Sequence, residues 1–343
     1  MCVYDVPSPV PQTGDLSVYE ARPFGNILFD SDFAALARAG IHPGDSVDIL
    51  FASGKVLEDL PFLSGCILPE GTICLNAHEG FDWLRIEKRF GNAWEHFQMR
   101  ENETARILLR ESGKYAFLYR VFNAEFSLER KDYPSDEYFS NYRELRGGRL
   151  KKKMFYRSAS SFPLPDDAVS FRERQQCIDA LIRRDGIRFV LNMACDGPVA
   201  EASFPCAVYA ARFPVDFSSP AFRNCLASAL RALFGRPGPY LFQCKAGLDR
   251  TGFFCGLLEA LAGADPAEVV ADYMLSYACL CGLSRESDPE KYDTLQKYQA
   301  DRILNILTQG RPGISLACAA EEYLRQCGME PAEITRLKNL LTE

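Results

Sequence analysis

The chain has 343 residues, of which 47% are hydrophobic and 25% charged, and its formal net charge is −7 at pH 7. This length is sufficient for two domains that each bury a core. The sequence has no apolar run of about 18 residues to cross a bilayer, and its excess of negative charge argues against nucleic acid as a partner.

Thirteen cysteines are scattered without the spacing of a disulfide framework or of paired zinc-binding motifs. The first residues, MCVYDVPSPVPQTG, contain neither the basic nor the apolar segment of an export signal. We therefore expect reduced thiols, a cytoplasmic location, and no metal or other cofactor. The oligomeric state stays open.

Residues 1–130 are predicted to form a β-rich N-terminal module, because short alternating apolar runs are separated by turn sequences such as HPGD and ESGK. A small barrel or a sandwich fits this pattern. The stretches FGNILFD and AGIHPGDSVDILF are similar to the β-barrel half of the SAM-dependent hydrolases and halogenases. The nucleotide-binding half of that family has no counterpart, so no activity is implied. Asn26 is expected to be a turn residue after Gly25.

Residues 131–343 show strand and helix alternation after the polar segment 129–148, which indicates an α/β sheet flanked by helices. The tail of this region is helical by its periodicity. In such sheets the functional residues lie at the carboxyl ends of the strands. The predicted strands and helices before the tail are KMFYRSAS, DAVSFRERQQCIDALIRRDG, IRFVLNMA, CAVYAARFP, SPAFRNCLASALRALFG, PYLFQC and TGFFCGLLEALAG.

A cysteine followed by five residues and an arginine is a spacing that occurs five times in the chain. The pairs are Cys177 and Arg183, Cys206 and Arg212, Cys225 and Arg231, Cys244 and Arg250, and Cys279 and Arg285. The spacing alone therefore indicates nothing. Cys177 and Cys225 fall inside predicted helices and Cys206 begins a strand, whereas Cys244 ends a strand and is followed by a glycine-containing loop and a helix.

The context of Cys244 is what a phosphate-binding nucleophile requires. A tight loop turned by Gly247 presents backbone N–H groups, and the helix beginning near Thr251 adds the positive end of its dipole. A helix N-terminus and a guanidinium favour the thiolate form of a cysteine, and the fork of Arg250 matches two phosphoryl oxygens. Thr251 is expected to donate its hydroxyl to the leaving thiolate, and Gly252 to let the helix begin close to the strand. The residues expected around the phosphate are Lys245, Ala246, Gly247, Leu248, Asp249 and Arg250.

The stretch CKAGLDRTG resembles the phosphate loop of the cysteine-dependent phosphatases. NYRELRGGRLKKKMFYRSAS and ADYMLSY resemble the segments before and after that loop in the atypical bacterial tyrosine phosphatases, some of which act on phosphoinositides. The resemblance covers roughly residues 130–343 and implies a tyrosine-phosphatase-like catalytic domain. Two positions depart from the family pattern, since Gln243 replaces a histidine and Leu248 a lysine. Four residues are expected around the loop: Asn141, Arg143, Arg157 and Ser158.

Hydrolysis of a phosphomonoester needs a group that protonates the leaving oxygen. Asp249 lies inside the loop, where the resemblance implies an acid. Asp216 precedes the nucleophile on a loop after a strand, where the standard tyrosine phosphatases carry a mobile acid; alternatively, Asp216 caps the helix that begins near Ser219. We expect Asp249 to be the acid, with Asp216 as the competing candidate.

The sequence therefore predicts a phosphomonoester hydrolase with a phosphocysteine intermediate, acting on a phosphorylated protein or a small phosphomonoester. Three alternatives stay open. One is a pseudophosphatase that binds a phosphorylated partner without turnover. Another is an inositol phosphate or phosphoinositide phosphatase. The third, a thiol redox enzyme, requires a resolving cysteine, and Cys255 is poorly placed for that role.

Overall fold

The computed structural model describes residues 10–21, 25–66, 68–77, 83–124, 126–162, 170–194 and 206–342. The chain divides into two compact units, Met1–Glu125 and Phe126–Glu343. The expectations for residues 1–9 and for the first residues of the predicted helix, 167–169, lie outside the described residues. Within the described ranges, no helix is both long enough and apolar enough to cross a membrane.

The first unit contains a closed barrel of seven strands in the order β1-β2-β6-β5-β4-β3-β7. The strands are β1 (Leu16–Ala21), β2 (Asn26–Phe29), β3 (Ser46–Phe51), β4 (Val56–Leu63), β5 (Ile73–Ala77), β6 (Leu84–Lys88) and β7 (Glu103–Glu111). Three short helices accompany them: α1 (Phe33–Arg38), α2 (Ala93–His96) and α3 (Ala116–Phe122).

Inward-facing and outward-facing residues alternate along the strands, and apolar side chains fill the barrel, among them Val47, Ile49 and Ile107. Closure pairs every strand on both sides, which removes the exposed edges of an open sheet. The prediction of a barrel is thus confirmed. Asn26, predicted as a turn residue, is instead the first residue of β2 and pairs with Ala21, because the turn is made by the preceding glycine with its positive φ of 68°.

The second unit is built on a five-stranded sheet in the order β11-β10-β12-β9-β8. Its strands are β8 (Arg143–Glu144), β9 (Phe155–Ala159), β10 (Phe189–Asn192), β11 (Ala207–Ala210) and β12 (Tyr240–Cys244). The last four are mutually parallel, and β8 pairs antiparallel with β9. Every residue of β9, β10 and β12 is buried, as in parallel strands covered on both faces.

Nine helices are described in this unit, together with a 3₁₀ turn at Arg130–Asp132 and a π-helical turn at Gln296–Ala300. The helices are α4 (Asp136–Ser140), α5 (Ser170–Arg184), α6 (Pro220–Ala232), α7 (Asp249–Leu261), α8 (Pro266–Cys281), α9 (Pro289–Leu295), α10 (Asp301–Thr308), α11 (Leu316–Gln326) and α12 (Pro331–Leu341). The predicted α/β class is confirmed, and the tail is helical as expected.

Helix α7 lies in the interior of the second unit, and all of its residues from position 251 to 261 are buried. One of them, Glu259, is 1% exposed, and neither of its carboxylate oxygens has a hydrogen-bond partner among the described residues. Burial and the nearby Asp272 raise the pKa of Glu259 well above its ordinary value, against the opposing charges of Arg157 and Arg143. We therefore expect this carboxyl group to keep its proton to a higher pH than an exposed glutamate does.

Replacing Glu259 with Gln is expected to stabilise the protein increasingly as the pH rises. The unfolded chain loses this proton near pH 4.5 while the folded chain keeps it, so the wild type loses about 1.4 kcal/mol per pH unit above that value until the raised pKa is reached. Glutamine mimics the protonated form and removes this dependence. Denaturant unfolding of both proteins at pH 5 and pH 8 measures it, and an equal stability difference at the two values would contradict the expectation.

Candidate active site

The predicted phosphate loop connects the carboxyl end of β12 to the first turn of α7. Cys244 is the last residue of β12 and is 3% exposed. Helix α7 begins five residues later, at Asp249, two residues before the predicted start. Asp249 and Arg250 therefore belong to the first helical turn. The loop thus lies at the helix N-terminus, where unpaired N–H groups and the helix dipole attract anions.

Gly247 allows the loop to pass close to strand β9. Its φ is +66°, and a Cβ atom added there would lie 2.4 Å from the carbonyl oxygen of Ser158. Its N–H donates to the carbonyl oxygen of Cys244 at 3.2 Å, which closes the turn. Both the backbone conformation and the available space therefore require glycine at this position.

The outer carbonyl oxygens of the loop are held by side chains from the segment before β9 and from β9 itself. Asn141 Nδ2 donates to the carbonyl oxygens of Ala246 and Gly247, at 3.1 Å each. Arg157 Nη2 donates to the carbonyl oxygen of Gly247 at 2.7 Å. Because C=O and N–H point in opposite directions in a trans peptide, the N–H of Leu248 is directed to the other side of the loop. This arrangement is typical of an anion-binding nest.

The two arginines behind the loop share one carboxylate on α8. Asp272 accepts from Arg143 Nε at 2.8 Å and also from Arg157, whose side chain is fully buried. Arg143 and Arg157 both donate to Ser276 Oγ, at 3.0 and 3.2 Å. Burial opposes ionisation of Asp272, but the two guanidinium groups outweigh it and keep the pKa of this carboxyl below its ordinary value. The loop therefore lies against a cluster of two guanidinium groups and one carboxylate, which together carry a net positive charge.

Gln243 stands where the family resemblance implies a histidine, and it is fully buried. Its Nε2 donates to Ser158 Oγ at 3.0 Å, and its Oε1 accepts from Ser161 Oγ at 3.0 Å. The amide thus connects β12 to β9 and to the segment after it, immediately before the nucleophile. A neutral amide performs this connection without titrating.

The guanidinium of Arg250 is fixed from the neighbouring strand. Its Nη1 donates to the carbonyl oxygen of Met193, the residue after β10, at 2.8 Å. Thr251 is fully buried, and within the described part of the chain its hydroxyl makes no hydrogen bond. Its role toward the thiolate stays a prediction. Lys245 is exposed at the loop, and the side chain of Leu248 is buried.

The two candidate acids occupy different settings. Asp249 Oδ1 accepts from the hydroxyl of Tyr273 on α8 at 3.4 Å. Asp216 Oδ1 accepts from the backbone N–H of Ser218 at 2.9 Å, between β11 and α6. The N-cap of α6 is Ser219, whose side chain accepts from the backbone N–H of Phe222, the third residue of the helix. The interpretation of Asp216 as the helix cap is therefore wrong.

Sequence reasoning assigned no role to Asp272, Tyr273 or Ser276. All three lie within the stretch ADYMLSY, which was predicted only to be a helix similar to one in the family. The other cysteine–arginine pairs lie apart from any comparable loop: Cys177 and Cys225 are inside α5 and α6, and Cys279 is inside α8. The role of Gly252 also differs from the expectation that it lets the helix begin close to the strand. The absence of a side chain at Gly252 makes room for the ring of Tyr273.

The part of the chain that carries this loop also matches known proteins. The family model described as tyrosine phosphatase family covers residues 207–343. Residues 207–343 thus match the tyrosine phosphatases. A tyrosine-protein phosphatase from Nostoc commune is 34% identical over 132 residues, which are 35% of this chain and 44% of that protein. The chain therefore spans less than half the length of this curated relative. The predicted resemblance is confirmed in this region.

Two solved structures are among the similar folds. The core catalytic domain of the PP-IP phosphatase SIW14 from S. cerevisiae has 18% identity and a TM-score of 0.30, and the match covers 49% of this chain and 91% of that one. TpbA from P. aeruginosa has 19% identity and a TM-score of 0.26, with 44% of this chain and 84% of that one covered.

Replacing Gly247 with Ala tests the anion-binding nest. We expect weaker binding of orthophosphate, measured by calorimetry, because the new Cβ must push the loop away from Ser158. Gly282→Ala is the matched control, since Gly282 has a φ of +65° and nothing within 4 Å of its Cβ position. Both variants are expected to lose about 1 kcal/mol of folding stability, because alanine is less stable than glycine in the left-handed conformation. Equal stability losses with unchanged phosphate affinity would contradict the role of Gly247.

Proposed function

We propose that this chain hydrolyses phosphomonoesters through a phosphocysteine intermediate on Cys244. The observation that carries the proposal is the loop between β12 and α7, whose carbonyl oxygens are tied back by Asn141 and Arg157. The location of this loop within the region that matches the tyrosine phosphatases supports it further. We infer a protein-tyrosine or dual-specificity phosphatase that requires no metal.

The first step transfers the phosphoryl group to sulfur. The thiolate of Cys244 attacks phosphorus while the bond from phosphorus to the leaving oxygen breaks, and Asp249 gives its proton to that oxygen. Arg250 and the loop N–H groups bind the equatorial oxygens and stabilise the charge of the transition state. Thr251 acts in the second step, in which its hydroxyl donates to the sulfur as the thiolate leaves.

The second step returns the enzyme to its starting state. The Asp249 carboxylate takes a proton from water while the water oxygen attacks phosphorus and the sulfur–phosphorus bond breaks. Orthophosphate and the Cys244 thiolate are the products, and Asp249 is protonated again. No further reactant is needed, because water supplies both the oxygen and the proton.

The surroundings of the loop favour a substrate with a single phosphate. Leu248 is 4% exposed, so this position offers an apolar side chain where the family resemblance implies a lysine. A second phosphate on an inositol ring therefore lacks that cation. Lys245 is the exposed cation of the loop. These features support phosphotyrosine or phosphoserine side chains over inositol polyphosphates.

We infer a cytoplasmic location from the thiol chemistry. None of the eleven cysteines of the described ranges takes part in a disulfide bond. A nucleophilic thiolate must stay reduced to act, and the reducing cytosol keeps thiols in that state. The proposed partners are phosphorylated proteins or small phosphomonoesters, with no nucleic acid and no stable membrane insertion.

Replacing Cys244 with Ser tests the nucleophile. We expect phosphate release to fall more than about a hundredfold, because the hydroxyl is not ionised near neutral pH and the covalent step is lost. A panel of phosphotyrosine peptide, phosphoserine peptide and inositol phosphate measures both activity and preference. Cys318→Ser, which alters an exposed thiol, is the control and should keep wild-type rates. Binding of phosphopeptide by wild-type protein without turnover would instead establish a pseudophosphatase.

Replacing each aspartate with Asn identifies the acid. We expect Asp249→Asn to slow the hydrolysis of an alkyl phosphate strongly and that of an activated aryl phosphate much less, because a good leaving group departs without a proton. Asp216→Asn should change both rates little, since the described contact of Asp216 is a local one to the Ser218 backbone. Rates of both variants on both substrates provide the comparison, and the reverse pattern would assign the acid to Asp216.

A further inference from the structure

Tyr273 connects the helix after the loop to the proposed acid. It lies in α8, is 3% exposed, and its hydroxyl oxygen is 3.4 Å from Asp249 Oδ1. The phenol is the donor in this contact, because a carboxylate has only acceptor oxygens. One oxygen of Asp249 is therefore engaged from the side of α8.

Gly252 makes this approach possible. A Cβ atom at Gly252 would lie 2.5 Å from two carbon atoms of the Tyr273 ring. Gly252 follows Asp249 by three residues, so the two positions share one face of α7. The ring of Tyr273 lies against the backbone of Gly252, and the Tyr273 hydroxyl reaches the carboxylate of Asp249 one helical turn earlier.

The ion cluster behind the loop holds this part of α8 in place. Asp272, next to Tyr273, accepts from both Arg143 and Arg157, and Ser276 accepts from the same two side chains. Asp272 and Ser276, which precede and follow Tyr273 in α8, are thus bound to Arg157. Arg157 also donates to the carbonyl oxygen of Gly247 in the loop. The ring of Tyr273 is further packed edge-on against Tyr277, with 6.1 Å between ring centroids.

We propose that Tyr273 is a positioning residue for Asp249, holding Oδ1 so that Oδ2 delivers the proton to the leaving oxygen. This inference rests on the proposed phosphatase function. A carboxylic acid transfers a proton well only when the oxygen that carries it is aimed at the acceptor. The buried phenol fixes the orientation of the half-buried carboxyl group of Asp249.

Tyr273→Phe removes the donor and keeps the ring. We expect kcat for an alkyl phosphate to fall on the order of tenfold, the scale of one orienting hydrogen bond. The rate for an activated aryl phosphate should stay near that of the wild type. In the Asp249→Asn background, Tyr273→Phe should cause no additional loss, because the two residues act on the same proton.

Two further variants separate positioning from packing. Tyr277→Phe removes a phenol from the same helix one turn later and should leave both rates unchanged. Gly252→Ala displaces the ring and should reproduce the leaving-group-dependent loss of Tyr273→Phe. Thermal unfolding of all variants shows whether any loss reflects unfolded protein.

The outcomes are distinct. If the wild type does not hydrolyse the activated aryl phosphate, the proposed function itself fails, and the inference fails with it. If the wild type is active but Tyr273→Phe slows both substrates equally, or adds a further loss to Asp249→Asn, then Tyr273 supports packing alone and the positioning role is overturned.

Discussion

The second unit depends on one buried cation, the guanidinium of Arg157. It is fully buried, and its ends bind the carboxylate of Asp272 and the carbonyl oxygen of Gly247. A charge in the protein interior is tolerated only when it is paired. Strand β9, helix α8 and the phosphate loop must therefore all be in place before this charge is stable. Arg157 thus connects the sheet and α8 to the candidate site.

The same cluster explains how a flexible stretch of backbone is made rigid. The loop has only four residues between β12 and α7, and its carbonyl oxygens are held by Asn141 and Arg157. The N–H of Leu248 is consequently directed away from these donors without any rearrangement, which is the kind of preorganisation that electrostatic catalysis requires. Asp249, in the first turn of α7, accepts a hydrogen bond from the hydroxyl of Tyr273 on α8.

Local patterns in the sequence predicted the elements that carry the site. Burial on both faces made β10 and β12 recognisable as apolar runs, and the glycine after Cys244 indicated the loop. The capping role of Asp216 was wrong because Ser219 competes for the same helix terminus and lies three residues nearer to it. Asp272, Tyr273 and Ser276 stayed without roles because their contacts join residues more than twenty positions apart, and no local periodicity encodes such pairs. The start of α7 was placed two residues late, since Asp249 and Arg250 resemble loop residues until the helix that contains them is known.

The residues that support the phosphate loop are distributed unevenly along the chain. The stretch that matches the tyrosine phosphatases begins at residue 207 and includes Cys244, the proposed nucleophile, and α8. Asn141, Arg143 and Arg157 all precede it by fifty residues or more, and strands β8 and β9 also precede it. A fragment cut at the family boundary would keep every residue of the chemistry but would leave Asp272 without its cations and the loop carbonyls without donors. The smallest part of this protein able to hold its own active site is therefore larger than the part that family similarity reveals.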